Sequence, residues 1–529
     1  MTAPDGDSAK QSPRALALAW ACIALMIGLM PTAGHAAESS AAPKGGSSEA
    51  SPTDHSGDGP AHTQPASHNG HGEATKGDGA HGHGGGHHSS RIPKGAGTGY
   101  DPSKIPERPE RLTIFGEPFL GTGELGEGFE VPGGAVWRPR LHLYGTYRTA
   151  VQAFHDGDTT FSEWANRLDL FGNLQLTATE RIVAGFQFLH DQDTGEFAGY
   201  NFNPEEDPLG RGDRGLVDDA FNTDLRTLFF EGEIGQLAPD LRGYESEDFD
   251  NLDIGFSVGR QPLFKQDGLL INDTVDSVGL TFNNLRIPGG SNLQLTGMYG
   301  WNEIHRGDNR EREQQHLFGL FGRTDLPSNT LQGDLLYMVD DVTGDNGVFW
   351  GLGSIQRMGH FNTTFRVLGS HATNDETAAV RDGYLLFGEV SWTPAYTHDN
   401  AYITGFWGID QFTSAARGPL TGGPLGQVGI TFAAIGLGRY GAPITNNPRD
   451  AVGGAVGYRW LLDDRRTHVT LELGGRTSTE AQGDGITALT GRFQKALGRR
   501  TIVQFDLFGS LQESGDPGYG GRVEFRFTF

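Results

Sequence analysis

The chain has 529 residues, a formal charge of −25, 81 glycines and one cysteine, with a mean hydropathy of −0.42. One Cys excludes a disulfide framework, the acidic balance argues against a nucleic-acid binder, and a single apolar stretch approaches the roughly 20 residues of a spanning helix. Glycine does not recur at every third position, which excludes collagen, and 10% aromatic residues argue against wholesale disorder.

The first element is an address. Lys10 and Arg14 precede an apolar run over residues 15–30, followed by Pro31 and the small residues Ala33, Gly34, Ala36 and Ala37. A basic start, a short apolar core and small residues at −3 and −1 predict a secretory signal peptide over residues 1–36, cleaved after Ala36. Cys22 sits inside that apolar core, so the working chain is expected to be free of cysteine.

Residues 37–99 are rich in Gly, Ser, Ala, Thr, Asp and His and have little to form a core. They read as a disordered linker. The densest histidines are His81, His83, His87 and His88. Imidazoles on a flexible chain can take Zn²⁺, Cu²⁺ or Ni²⁺. No helical His spacing or Cys partner indicates a closed site, so a solvated linker is the alternative. No other cofactor is expected. Residues 100–138 follow as a periplasmic or plug segment.

From residue 139 to 529 the pattern has period two. Leu141, Leu143, Tyr147 and Val151 alternate with Arg140, His142, Tyr144 and Arg148; Leu252, Ile254, Phe256 and Val258 repeat the pattern, as do Val469, Leu471 and Leu473. Alternation gives strands with one apolar and one polar face. Many run to about ten residues, the length that crosses a bilayer when tilted. Near the end, Val523, Phe525, Phe527 and Phe529 alternate with Arg522, Glu524, Arg526 and Thr528. On a soluble edge strand this aromatic ladder would invite aggregation. It resembles the C-terminal signal of bacterial outer-membrane barrels, which implies recognition of Phe529 by the barrel-assembly machinery.

The fold class expected is all-β: a transmembrane antiparallel β-barrel of about eighteen strands, even as such barrels are, with sixteen as the alternative count. Connections should alternate short and long. Short ones fall at Thr179, 286–291, 358–360 and 498–499. Long ones fall at 191–221, 262–275, 303–314, 372–383 and 413–451. The stretch 236–251 is long on the short side. The 413–451 connection is too long for a plain turn; an inward constriction and a mobile surface loop are equal readings of it.

Three motifs look chemical and fail on context. Gly255-Phe256-Ser257-Val258-Gly259 matches a nucleophile elbow but lies in an alternating strand. Gly436-Leu437-Gly438-Arg439-Tyr440-Gly441 matches a dinucleotide fingerprint without a helix behind it. Asp340, Asp341, Asp345 and Asn346 lack calcium-loop spacing. No enzyme is indicated.

Gly259-Arg260-Gln261, followed by the run from Gln266 through Asp267, Gly268, Leu269, Leu270, Ile271, Asn272, Asp273, Thr274 and Val275 to Asp276, resembles a stretch of the alginate-export porin family. The resemblance is sharp over about twenty residues. It implies an outer-membrane diffusion channel with an Arg-lined lumen for anions. Simple alternation puts Arg260 on the Val258 face, and a bulge at Gly259 would turn it inward.

Alternation places Arg140, Arg148, Arg167, Arg366, Arg459, Arg476, Arg492, Arg522 and Arg526 inward, and with Arg260 these are the candidate pore-lining residues. Inward carboxylates include Asp169, Asp334, Glu389, Glu472, Asp506 and Glu524. Guanidinium lining favours anions; pairing across strands is the structural alternative. The expected function is passive diffusion or export of small hydrophilic, anionic solutes through the outer membrane. The expected contacts are outer-membrane lipid and these solutes, with no nucleic acid. The alternatives are a barrel scaffold for a partner protein and divalent-metal capture through the His-rich leader.

Overall fold

The computed structural model describes residues 112–116, 126–191, 197–202, 223–237, 253–285, 287–480 and 484–529. The signal peptide and the histidine leader, with His81, His83, His87 and His88, lie outside the described residues. So does most of the long 236–251 connection.

Eighteen strands close into one antiparallel barrel. They are β1 (Arg140–His155), β2 (Thr160–Gln175), β3 (Arg181–Phe188), β4 (Asp224–Glu233), β5 (Asp253–Lys265), β6 (Ile271–Leu285), β7 (Asn292–His305), β8 (Glu311–Asp325) and β9 (Asn329–Asp340). The second half holds β10 (Gly347–Met358), β11 (Phe361–Ala372), β12 (Gly383–Trp392), β13 (Asn400–Asp410), β14 (Ala451–Leu462), β15 (Thr467–Ser478), β16 (Gly485–Ala496), β17 (Thr501–Gln512) and β18 (Gly518–Thr528). Each pairs with the next, and β18 closes on β1 through Tyr519↔His155 to Thr528↔Thr146. Closure leaves the wall no free edge, the solution open to a sheet in hydrocarbon.

The period-two pattern sorts as expected over much of the wall. Val151, Leu335, Leu352, Leu471, Leu489, Leu507 and Phe525 are exposed on the outward face. Arg148, Gln152, Glu472, Asp506 and Glu524 on the other parity are buried toward the lumen. Among the described residues no helix is long and apolar enough to span a membrane.

The rim where the chain enters and leaves the barrel is the lower one, and its described connections are mostly short. Phe529 finishes the closing ladder: Gly145 N–H donates to its carbonyl at 2.8 Å, and Phe529 N–H donates back to Gly145 at 3.0 Å. Below that point a short strand, Thr113–Phe115, takes over the edge of β1 at Leu143 to Leu141. Residues 113–115 therefore contribute to the lower rim.

Two upper connections turn inward. The 262–275 stretch is mostly strand, with only residues 266–270 as its tip. The β6–β7 ladder stops at Asp276↔Trp301, although β5 and β6 stay paired up to Lys265↔Ile271. The top of this hairpin therefore leaves the wall and enters the lumen. The 411–450 connection also folds inward, which decides between its two readings. Its Ala416–Arg417 pairs in parallel with Ile271 and Asn272 of β6, the edge that β7 abandons.

This inward turn puts an apolar core inside the barrel. Leu269, Leu270, Ile271 and Val275 of the hairpin pack with Leu425 and Phe432 of the long loop. They meet lumen-facing Leu317, Leu336, Met338, Phe349, Leu368 and Leu385 from β8 to β12. The polar-lumen expectation fails there because two inward segments cover that wall. Strands buried on both faces lose their alternation, as 317–321 (LFGLF) and 384–387 (YLLF) show.

Replacing outward-facing Leu352 by Arg should cost about 2–4 kcal/mol of folding stability in lipid vesicles, the midplane penalty for a barrel. Urea titration of the reconstituted protein reads it; an unchanged midpoint would contradict the lipid-facing assignment.

Candidate functional site: the lumen and its inward loop

The lumen holds two opposed devices. On one side, β16, β17, β18 and β1 present a chain of guanidinium and carboxylate groups. Arg492 Nε donates to Asp506 Oδ1 at 2.7 Å, and Arg522 lies 3.3 Å from the same carboxylate. Arg522 also pairs with Glu524. Arg148 Nε donates to Glu524 at 2.7 Å, and Arg526 approaches it from below at 3.5 Å. Four guanidinium groups thus share the two carboxylates of this network. Arg167 on β2 pairs with its neighbour Asp169 at 2.9 Å.

On the other side stands the hairpin tip. Gln266 and Asp267 take left-handed φ values of 53° and 54°. Arg366 on β11 holds both side chains and also reaches Gln332 at 2.8 Å. Gln266 donates to Asp334 of β9 at 2.7 Å. Lys265 lies 4.3 Å above the Phe321 ring. The stretch that carries the family resemblance is therefore this inward hairpin.

Arg417 joins the tip to the long loop. It is fully buried and donates to the carbonyls of Gly268, Gly422 and Thr421, the last two at 2.7 and 3.0 Å. Burial brings its guanidinium down to about 9, against the pull of Asp273. Ser414 Oγ donates to Leu269 O at 2.7 Å, and Ala415 N–H to Leu270 O at 2.9 Å.

From there the loop crosses the lumen. Residues 418–438 contain no charged side chain, so this arm docks through its backbone. On β15, Glu472 accepts the N–H groups of Ile430 and Thr431 at 3.0 and 2.8 Å, and the Tyr402 hydroxyl. Gly429 turns with φ +56°, and a Cβ there would strike the same carboxylate. On β1 and β2, Arg148 donates to Ile435 O at 3.3 Å, Arg167 to Gly436 O at 3.2 Å and Gln152 to Leu437 O at 2.8 Å. Glu163 accepts Arg439 N–H at 2.6 Å, and His190 Nε2 accepts Gly438 N–H at 3.1 Å. Beyond the arm, Tyr440 enters an aromatic cluster with Phe154, Phe161 and Phe508.

The sequence-derived arginines divide by place. Arg148, Arg167, Arg492, Arg522 and Arg526 belong to the charged wall. Arg366 serves the hairpin tip. Arg140 is buried low on β1, and Arg459 lies half-buried on β14 opposite Asn400. Arg476 donates to Asn447 O at 2.8 Å. Arg260 is a correction. Gly259 has φ +122°, yet the register runs on through Ser277↔Gly259 and Asp276↔Arg260 without a shift. Arg260 therefore stays on the outward face with Val258. It bonds Asp276 at 3.1 Å and Glu303 at 2.7 Å, where β6 parts from β7.

Sequence reasoning missed Glu163, Gln152 and His190 as loop anchors. The signal available for the arm was its length without charge; its glycines matched the dinucleotide look-alike instead.

No protein-family model matches the chain, and no curated protein matches it in sequence. Solved structures similar to it include the outer membrane protein OpdK of Pseudomonas aeruginosa, at 11% identity over 74% of this chain and 98% of that one, with a TM-score of 0.47. OccAB2 of Acinetobacter baumannii is similar at 10% identity over 74% and 98% of the two chains, with a TM-score of 0.49. OccK3 (OpdO) of Pseudomonas aeruginosa follows at 12% identity, 74% and 95% coverage, and a TM-score of 0.45.

Glu472→Ala should release the arm, because two buried N–H groups lose their acceptor at about 1–3 kcal/mol each. Glu472→Gln keeps an acceptor and should be milder. Trypsin cleavage after Arg439 in the folded protein measures the release; equal cleavage in wild type and Glu472→Ala would remove Glu472 as an anchor.

Proposed function

We propose that the protein is an outer-membrane channel for passive diffusion of small hydrophilic solutes, with a preference for anions. The observation that carries this reading is the closed barrel itself, apolar outside and lined inside by a guanidinium-rich wall. A wall of this kind meets lipid with its outer face and solute with its inner one. The lower rim would face the periplasm, and the inward loops would enter from the external side. The signal peptide over residues 1–36 and Phe529 would bring the chain to the assembly machinery.

The anion preference rests on the density of guanidinium groups in the β16–β18 and β1 network. Arg526 is the member of that network reached from the lower lumen, since it keeps more exposure than its neighbours. A channel for an anionic chain, as the hairpin's resemblance to the alginate-export porins implies, is the finer form of the proposal. Metal capture by His81, His83, His87 and His88 is a separate proposal for the leader, tested by zinc binding before and after deletion of residues 55–88.

Reconstitution into planar bilayers should give discrete conductance steps. Under a potassium chloride gradient the reversal potential should show chloride preference, and Arg526→Glu should shift it toward potassium. Silence at high protein load, with folding confirmed by heat-modifiable gel mobility, would refute the channel. An unshifted reversal potential in Arg526→Glu would remove the arginine wall as the selectivity element.

A further inference from the structure

The upper mouth holds a second set of guanidinium groups, apart from the charged wall. Arg381 lies just before β12 and Arg449 just before β14, on the two sides of β13. Backbone ties continue the three chains above their strands: Gln411 N–H donates to Asp382 O at 2.9 Å, and Asp450 N–H to Asp410 O at 3.0 Å. Both arginines are half-buried.

Neither has a carboxylate. Arg381 Nε donates to Thr377 O at 3.1 Å and its Nη1 to Gln411 Oε1 at 2.9 Å, both neutral acceptors. The Arg449 side chain has no acceptor among the described residues, and its Nε is shut off from solvent. Burial and the like charge of Arg381 lower the Arg449 guanidinium from its ordinary value, and Asp308 alone pulls the other way. Asp308 is already taken, because Arg312 holds both its oxygens at 2.8 and 2.9 Å. Asp450, next in the chain, faces Gln411 and lies beside Asp410 and Glu480 instead. Asp308 also shows which way Arg449 reaches. It belongs to the β7–β8 tip, which lies inside the mouth, where Asn309 Nδ2 donates to Gly418 O and Gly422 O of the inward loop.

Two like charges set together repel, and a donor cut off from water without an acceptor costs stability. In the charged wall Arg148, Arg492 and Arg522 each have a carboxylate. At the mouth the chain supplies none. Resting on the channel reading for its role, we propose that Arg381 and Arg449 form an oxyanion-binding site, which holds a carboxylate or phosphate group of the solute at the upper mouth. Arg449 offers its Nε–H and Nη–H groups side-on, the fork that matches two oxygens of one anion. Arg381 adds the donors that Thr377 and Gln411 leave over.

Binding is read without conductance, on the folded full-length protein in detergent. Calorimetric titrations with succinate and with inorganic phosphate, run separately, probe the two sources of the oxyanion. At least one should bind, and Arg449→Gln should weaken it by roughly ten- to a hundredfold, the worth of a hydrogen bond to a charged group. Since the Arg449 side chain bonds nothing in the chain, Arg449→Gln should unfold no earlier than wild type in ligand-free urea titrations. Arg310→Gln, at an exposed arginine of the β7–β8 tip, should bind as wild type does. Binding of succinate alone assigns the site to carboxylates, and of phosphate alone to phosphates. Four results would overturn the site and leave the channel standing: no binding by wild type, undiminished binding by Arg449→Gln, an equal loss in Arg310→Gln, or early unfolding of Arg449→Gln, which would make Arg449 structural. A barrel that binds through Arg449 yet stays silent in planar bilayers would keep the site and remove the channel.

Discussion

Main-chain hydrogen bonding is the constraint on which this structure turns. A sheet that meets hydrocarbon must pair every backbone group, and closing β18 onto β1 achieves that for the wall. The same demand follows the β5–β6 hairpin once it leaves the wall. From Val275 upward β6 has no neighbour in β7, so its edge needs another partner. The loop strand Ala416–Arg417 supplies it in parallel, and Asp273 bridges the gap by accepting His305 N–H and Nδ1–H, each at 3.0 Å.

The departure of the hairpin also explains the division of the lumen. Hairpin and loop bring apolar side chains with them, and the wall from β8 to β12 answers with Leu, Met and Phe. Burying that surface stabilises the inward position at about 25 cal/mol per Å² of apolar area. The opposite wall keeps its charges, and residues 418–438 that reach it carry none. Backbone N–H and C=O groups of the arm, being dipoles, can satisfy both Glu472 and Arg148 without adding net charge.

Charge in the lumen is therefore mostly committed. Asp506 and Glu524 each serve more than one guanidinium group, and their pairs are deep enough that removing one partner would strand the other. Arg260 has no share in this network. Its ion pairs close the outer surface at the branch point where β6 turns inward.

Period-two alternation and the terminal Phe525, Phe527 and Phe529 determined the barrel, its eighteen strands and most turn positions, because side-chain facing in a strand is a local property of the chain. The same alternation placed Arg148, Arg492, Arg522 and Glu524 inward; Arg260 was expected to turn inward through a bulge at Gly259, and the unbroken register keeps it outward. The inward course of residues 266–270 was not legible, and that of 411–450 was one of two equal readings, since a loop's direction depends on surfaces far away in sequence. Leu317 or Leu385 marks a buried inner face only once a hairpin packs on it. Glu472 read as an ordinary lumen acid and Glu163 was not singled out, until tertiary structure set loop amides against both. Local geometry, then, was written in the sequence; which groups the lumen leaves accessible was decided by contacts between segments distant in the chain.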